Sequence, residues 1–270
     1  MVHILNLHFK MIYAKPYSGT QAVQRAVALL KMFSDIRPQW GLTDLSRAAG
    51  LNKTTVYRLL TALASEGLVA RSPGTETYRL GPEAIALGAR ALRSNDLRTV
   101  SRESLEDLAR FSDETATIEV LVGADVLIVG EVHSRQWLHA TPSVGSRWPA
   151  HATSTGKVLL AELSETDRRA ILRPPLAQPA RRTIATLSNL KEELARVRTQ
   201  RYATAIGELE DGYSAIGVPV AGHDGRVMAA LSVGGPSARL PLDRLREMLP
   251  LLSEAATDIS HKLGYSPAAV

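Results

Sequence analysis

Residues 41–63 read GLTDLSRAAGLNKTTVYRLLTAL, and this stretch decides the fold of the N-terminal part of the chain. Leucines and alanines recur at helical spacing on both sides of Gly50, which predicts two short helices joined by a tight turn. Gly50 suits the turn because the residue after a helix often needs a positive φ. Thr43 and Asn52 carry side-chain oxygens that can cap the two helices. The stretch therefore predicts a helix-turn-helix.

The second helix of this motif leaves a polar outer face once Val56, Leu59, Leu60 and Leu63 turn inward. Polar side chains on such a face reach phosphates and base edges when the helix lies in a major groove. Taken alone, two helices could equally form an ordinary αα-hairpin with a solvated face. The predicted DNA-contacting residues of the motif are Thr43, Asn52, Lys53, Thr54, Thr55, Tyr57, Arg58 and Thr61.

The next segment favours the DNA-binding interpretation. Residues 66–71 (EGLVAR) and 77–80 (TYRL) are short apolar or alternating runs separated by SPGTE, a pattern typical of a β-hairpin. A helix-turn-helix followed directly by a hairpin is a winged helix. Arg71 and Arg79 in the hairpin are then placed to contact backbone phosphates.

Several motifs in order resemble the IclR-type transcription regulators. Within residues 20–81 they are QAVQRAVALLKMF, the helix-turn-helix above, EGLV and YRLGP, and further on PAHATSTGKVLLA, DGYSAIGVPV and ALSVGGPSARL. The resemblance covers all but the first dozen or so residues. It implies an α+β fold: an N-terminal winged helix-turn-helix domain, a linker helix and a C-terminal α/β effector-binding domain with a curved antiparallel sheet. It also implies a dimer, or a dimer of dimers, bound to double-stranded DNA at a palindromic operator.

The domain boundaries predicted from composition and motifs are a mobile tail at 1–17, the winged helix-turn-helix at 18–81, a linker helix at 82–96 and the effector-binding and oligomerisation domain at 97–266. Met11 is an alternative start. The linker helix begins at Pro82, a residue favoured at the first helical position. Its narrow apolar stripe consists of Ile85, Gly88, Ala89 and Leu92.

Charge is unevenly distributed along the chain. Residues 1–82 carry ten Lys and Arg against four Asp and Glu, whereas the remainder carries 22 against 23. A basic first third suits contact with a polyanion. The chain has no cysteine and no run of 18 apolar residues, so we expect a cytoplasmic protein without disulfides or a membrane partner.

The C-terminal domain is predicted to alternate helices and strands. Expected strands cover 115–122, 126–132, 214–220 and 227–233, with a possible strand at 138–141. Helices are expected from residue 97 to about 111, near 154 and 165, and at 188–201 with Ser188 as its cap. A closing helix should run from Pro241 to Leu263 and bend at Pro250, which removes one backbone hydrogen bond.

No motif predicts catalysis, a metal or a cofactor. Residues 151–158 lack the first glycine and the final Ser/Thr of a phosphate loop, and in GYSAI the glycine after the serine comes one position late for a nucleophile elbow. His133, His139 and His151 lack a tight ligand spacing, which favours structural or solvent-facing histidines over the alternative of a shared metal. Two alternatives to a regulator remain: a hydrolase or other enzyme on the C-terminal domain, and a constitutive DNA-binding protein whose C-terminal domain only oligomerises.

An effector site is predicted where a helix begins at Ser154, because free backbone N–H groups at a helix start attract a carboxylate. The resemblance implies that the pocket is lined by Ser154, Thr155, Gly156, Ala205, Ala215, Ser232 and Gly234. A family member that senses small oxo-acids has more polar residues where this chain has Ala205, Ala215 and Gly234. The prediction is thus a roomier, more apolar site for an aromatic or longer aliphatic acid. Simple helix capping is the other interpretation of Ser154 and Thr155.

Overall fold

The computed structural model describes residues 19–34, 36–133 and 144–266. The predicted tail at 1–17 and the possible strand at 138–141 lie outside these ranges. The chain divides into two compact units between Ser94 and Asn95. Among the described residues, no helix has both the length and the apolar character needed to span a membrane.

The N-terminal unit is a three-helix domain with a small sheet and a following helix. Its elements are α1 Gln21–Leu30, β1 Trp40–Gly41, α2 Leu42–Ala49, α3 Lys53–Ser65, β2 Val69–Arg71, β3 Thr77–Leu80 and α4 Pro82–Arg93. Leu29, Leu45, Val56 and Leu60 are completely buried between the three helices. Burial of this apolar set holds α2 and α3 in the helix-turn-helix arrangement.

The turn chemistry of the helix-turn-helix is partly as predicted. Gly50 has φ 64°, and the Asn52 side chain accepts a hydrogen bond from the Thr55 amide at 2.8 Å. The proposed cap at Thr43 is wrong. Helix α2 begins at Leu42 with Gly41 as its N-cap, so Thr43 lies inside the first turn and is exposed.

The wing contains one strand that sequence patterns do not predict. Strand β1 pairs with β3, which pairs with β2, and Trp40 lies opposite Tyr78. The Trp40 indole donates to the Met32 carbonyl at 2.9 Å, and the Arg37 guanidinium lies 3.5 Å from its ring centroid. Trp40 therefore ties the wing to the segment that follows α1.

The C-terminal unit contains a curled six-stranded sheet in the order β6-β5-β4-β9-β8-β7, with every neighbouring pair antiparallel. Its strands are β4 Thr115–Val122, β5 Asp125–Val132, β6 Arg147–Pro149, β7 Ala203–Ile206, β8 Tyr213–Ala221 and β9 Val227–Pro236. Its helices are α5 Asp96–Ser112, α6 Ser154–Glu162, α7 Glu165–Ile171, α8 Leu187–Gln200, α9 Leu242–Glu247 and α10 Leu249–Lys262.

Helices cover both faces of this sheet. Helices α5 and α10 pack on one face around Leu105, Ile216 and Leu231, while α6 and α8 pack on the other around Val158 and Leu194. Because side chains alternate along a strand, a strand can contribute to both cores, as β9 does with Leu231 on one face and Ala230 on the other. The face that carries α6 also carries the candidate effector site.

Two helix boundaries differ from the sequence prediction. Helix α8 starts at Leu187, and its N-cap is Thr186, whose hydroxyl accepts the Asn189 amide at 3.4 Å; Ser188 lies one residue inside the helix. The predicted closing helix is two helices separated at Met248, ahead of Pro250. Proline lacks an amide hydrogen and disfavours helix before itself, which accounts for the break.

Candidate functional site

The helix-turn-helix and the wing together carry the side chains expected to meet DNA. Of the ten residues predicted to contact DNA, nine are exposed, and only Thr55 is half-buried. Arg58 is exposed, and among the described ion pairs none involves it. Its guanidinium is therefore free to meet an external partner.

A groove of about 430 Å³ separates the helix-turn-helix from the wing. Thr43 from α2, Tyr57 from α3 and Arg71 from β2 lie around it, so three of the predicted residues are brought together. Asp44 and Glu76 also line this groove. These two acids lie where a polyanion would approach.

The two arginines of the wing lie on opposite faces. Arg71 is directly opposite Tyr78 in the hairpin, whereas Arg79 is opposite Ala70. Cross-strand partners share a face, so Arg71 faces the groove and Arg79 faces away from it. Arg71 also forms an exposed ion pair with Glu76. The hairpin was predicted correctly. Because side chains alternate between the two faces of a strand, however, only one of the two arginines faces the groove.

The predicted effector site begins at the start of α6. Thr153 is the N-cap: its hydroxyl accepts the Gly156 amide at 2.9 Å, and its carbonyl accepts the Lys157 amide at 3.0 Å. Among the described residues, no acceptor is found for the amides of Ser154 and Thr155. Gly156 is therefore not an available donor, contrary to the sequence prediction. It is needed for packing, since a Cβ there would come within 2.1 Å of the Ala150 carbonyl oxygen.

Gly217 on β8 brings the start of α6 onto the sheet. A Cβ at this position would lie 3.0 Å from the Thr155 nitrogen and 3.2 Å from the Ser154 hydroxyl. Sequence analysis did not select Gly217, because a glycine within a strand signals close approach without identifying the approaching group.

The small residues predicted for the site form one continuous row. Ala205 on β7 pairs with Ala215 on β8, which pairs with Gly234 on β9. The Tyr213 phenol covers the end of this row, since a Cβ at Gly234 would lie 2.5 Å from its hydroxyl oxygen. Burial, followed by the nearby Glu119 carboxyl, raises the pKa of Tyr213, which therefore remains a neutral hydrogen-bonding group.

The opposite side of the site is polar, which the sequence analysis did not predict. The Ser232 and Thr117 hydroxyls are 2.8 Å apart, and Thr117 donates to Glu119 at 2.8 Å. Thr155 donates to the other oxygen of the same carboxyl. We call the surface formed by Thr117, Glu119, Ser154, Thr155, Ala215 and Ser232 the cup. Polar residues at 115, 117 and 119 alternate along one strand, and this pattern could have revealed the polar wall.

Lys157 fixes the orientation of α6. Its side chain is 1% exposed, and its Nζ contacts Glu208 at 2.8 Å and Glu193 at 3.1 Å. These acids lie after β7 and on α8. Burial raises the pKa of Glu208, while the charge of Lys157 opposes this rise. This buried ion cluster was not recognised in the sequence.

The histidines do not gather at one site within the described ranges. His151 is buried, and its Nε2 lies 2.8 Å from the Ala177 carbonyl. His133 lies beside Thr115 and Glu131, and His139 falls outside the described residues. Across the described part of the chain, no three His, Cys, Asp or Glu side chains are grouped to hold a metal ion.

A winged helix-turn-helix joined to a separate α/β unit with a cup defines a class of DNA-binding transcription regulators. Comparison with known families agrees: residues 22–73 match the IclR helix-turn-helix domain, and residues 89–261 match the C-terminal domain of bacterial IclR transcriptional regulators. The chain belongs to the IclR family of DNA-binding transcription regulators.

Individual relatives align over nearly their whole length. The HTH-type transcriptional regulator XynR of Escherichia coli is 32% identical over 91% of this chain and 98% of its own. The structure of an IclR regulator from Alicyclobacillus acidocaldarius is 29% identical, with a TM-score of 0.78 over 90% of this chain and 98% of its own. An IclR homolog from Microbacterium hydrocarbonoxydans, crystallised with 4-hydroxybenzoate, is 28% identical with a TM-score of 0.73 over the same shares.

Proposed function

We propose that this regulator binds its operator under the control of a small organic acid, an aromatic or longer aliphatic carboxylate, and that it acts in the cytoplasm on a catabolic operon. The observation that carries the proposal is that, within the part of the chain that the structure describes, the amides of Ser154 and Thr155 have no acceptor. Two unpaired donors at the positive end of a helix dipole suit a carboxylate. The complex of the Microbacterium relative with 4-hydroxybenzoate, an aromatic acid, supports this class of ligand.

The apolar body of the acid would lie along the row of small residues. Ala215 is partly exposed on the same strand face as Gly217, which touches the start of α6. A ligand anchored at Ser154 and Thr155 would therefore extend over Ala215 towards Ala205. Gly234 contributes less space than the sequence suggests, because Tyr213 lies over it.

Replacing Ala215 with leucine should abolish the response to acids by filling this space. A ligand at about 100 times its Kd stabilises a protein by about 2.7 kcal/mol. For a domain of this size, that is a Tm increase of about 5–11 °C. Thermal unfolding of the full chain with benzoate, 4-hydroxybenzoate, phenylacetate and hexanoate measures the effect. We expect a shift in the wild type and none in Ala215→Leu.

The matched control is Ala195→Leu, the same substitution on the exposed surface of α8. This variant should keep the ligand-induced shift, and both variants should bind operator DNA without ligand as the wild type does. If no acid in a broad panel stabilises the wild type, the effector proposal fails and constitutive DNA binding becomes the better account. If Ala215→Leu responds normally, the cup is not the binding site.

We further propose that the chain binds a palindromic operator as a dimer, which can assemble into a dimer of dimers. Several apolar side chains of the N-terminal unit are exposed in the single chain: Ile85 at 74%, Val23 at 64%, Leu87 and Val27. No residue of α4 is buried. An apolar surface of this kind supports pairing of two copies, and two recognition helices match two half-sites.

Ligand binding must favour one arrangement of the DNA-binding units over another, because a ligand with equal affinity for both arrangements shifts nothing. Helix α4 is the proposed transmitter. It follows the wing directly and ends at Arg93, three residues before α5 begins.

Arg71→Ala should lower affinity for all DNA sequences about equally, because a wing arginine at the groove contacts phosphate rather than a base edge. Removing one such contact should reduce the slope of log K against log salt by about 1. Fluorescence anisotropy with operator and scrambled duplexes between low and high salt measures both effects.

Glu76→Gln is the opposing variant. It releases Arg71 from its ion pair and removes one negative charge from the groove. We expect tighter binding to both duplexes. An Arg71→Ala loss confined to the operator, with an unchanged salt slope, would show that Arg71 reads sequence instead.

A further inference from the structure

Glu119 is a carboxyl inside the cup for which the proposed function gives no role. Its residue is 6% exposed, and it lies on β4 opposite Ala230, on the strand face that meets α6. One carboxyl oxygen accepts a hydrogen bond from Thr155, and the other accepts one from Thr117 at 2.8 Å. Among the described residues, Glu119 forms no ion pair with Lys or Arg.

The hydroxyl groups of Thr117, Thr155 and Ser232 have no proton left for a ligand while Glu119 is ionised. A hydroxyl has one proton to donate. Thr155 and Thr117 both direct theirs to Glu119, so Ser232, at 2.8 Å from Thr117, must donate to Thr117. In this state these three hydroxyl groups present only oxygen lone pairs, and they do so beside a negative charge. Both repel an incoming carboxylate.

The surrounding charges add to this conflict. Glu131 on β5 is directly opposite Thr117, with the His133 imidazole 3.2 Å from its carboxylate. Tyr213 from β8 is neutral, β9 contributes the Ser232 hydroxyl, and α6 contributes the amides of Ser154 and Thr155. Burial raises the pKa of Glu119 and the charge of Glu131 raises it further, against the opposing effect of its two hydrogen bonds. Glu119 is therefore more easily protonated than an ordinary glutamate.

We propose that Glu119 couples effector binding to protonation by taking up one proton from solvent when the carboxylate of an organic acid binds beside it. The inference rests on the proposed function of the cup. Protonation removes the like-charge repulsion between Glu119 and the ligand. The new O–H of Glu119 donates to the Thr155 oxygen, which frees the Thr155 proton to turn towards the ligand. The ligand anion is then held by the amides of Ser154 and Thr155 and by the Thr155 hydroxyl.

This linkage sets how affinity depends on pH. Below the pKa of Glu119 in the free protein, the proton is already present and affinity is independent of pH. Above that pKa, binding requires proton uptake, so the Kd rises towards tenfold per pH unit. The Kd stops rising above the higher pKa that Glu119 has in the complex. An acid bound away from Glu119 would show neither effect in this range.

Calorimetric titration of the full chain tests the proposal, using whichever of benzoate, 4-hydroxybenzoate, phenylacetate or hexanoate gives the largest thermal shift. Titrations at several pH values between 5.5 and 8, each in two buffers that differ in ionisation enthalpy, count the protons taken up. We expect uptake approaching one proton per site at pH values between the pKa of Glu119 in the free protein and its higher pKa in the complex. This measurement needs no variant.

Glu119→Gln supplies the second test. Glutamine keeps an acceptor and a donor but carries no charge, so it resembles the protonated carboxyl. We expect this variant to take up no proton and to bind the acid more tightly than the wild type above the pKa of free Glu119, by a factor that grows towards tenfold per pH unit. His133→Asn should retain the uptake, because the proton belongs to Glu119.

The outcomes separate the inference from the proposed function. Acid binding without proton uptake at any of these pH values, uptake that is lost in His133→Asn, or loss of binding in Glu119→Gln would each overturn the role of Glu119 and leave the acid effector standing. If no acid binds the wild type or Glu119→Gln at any pH, both proposals fall.

Discussion

Lys157→Met is expected to destabilise the C-terminal unit by about 3–5 kcal/mol, the usual cost of removing one partner from a buried ion pair. For a unit of this size, that lowers the Tm by about 6–20 °C. The reason is that methionine replaces the length of the lysine but leaves Glu208 buried without its cation. Glu193 retains a contact with Arg196, so the loss falls mainly on Glu208.

The destabilisation should depend on pH in a definite direction. Burial already raises the pKa of Glu208, and removal of Lys157 raises it further. A carboxyl with a raised folded-state pKa favours folding at pH values below its unfolded pKa, and that stability is lost as pH rises through the folded pKa. The Tm difference between variant and wild type should therefore be small near pH 4.5 and larger at pH 8.

Two further variants identify the cause. Lys191→Met, on the exposed surface of α8, has the same chemistry outside the cluster and should change the Tm little. Adding Glu208→Gln to Lys157→Met removes the unpaired charge and should recover part of the loss. If Lys157→Met and Lys191→Met behave alike, the buried cluster does not stabilise the unit.

The helix-turn-helix could be predicted from sequence because its signals are local. Gly50 and Asn52 determine the turn and the cap through their own backbone and side chain, and the apolar spacing of α3 depends on one helix alone. Thr43 and Ser188 were misassigned because several nearby residues can cap a helix, and boundaries shift by one or two positions. Strand β1 has two residues, too few to form a pattern.

The cup could be predicted only in part because it combines distant strands. The row of Ala205, Ala215 and Gly234 came from family resemblance, and the strand register now makes it continuous. The polar wall depends on Thr117 and Ser232 lying opposite each other, 115 residues apart in the chain. No local pattern specifies that pairing. Whether the lining residues bind an effector stays a prediction.

Arg58→Ala is expected to weaken operator binding by about 1–3 kcal/mol per half-site, with the loss concentrated at one base position. Arg58 lies one turn into α3, exposed, on the side opposite the buried Val56 and Leu60. An arginine there can donate two hydrogen bonds to the major-groove edge of a guanine. Equilibrium binding to operators with each base pair substituted in turn measures the loss and its position.

Arg25→Ala is the matched control for Arg58→Ala, because Arg25 is exposed on α1 and outside the predicted contact set. Both variants lose one positive charge, so any general electrostatic effect appears in both. A base contact predicts that Arg58→Ala becomes indifferent to one base pair that the wild type and Arg25→Ala still distinguish. An equal loss of affinity on every duplex would show that Arg58 contacts a phosphate and not a base. Unchanged affinity on all duplexes would remove it from the interface and leave reading of the operator to Lys53, Thr54 and Tyr57.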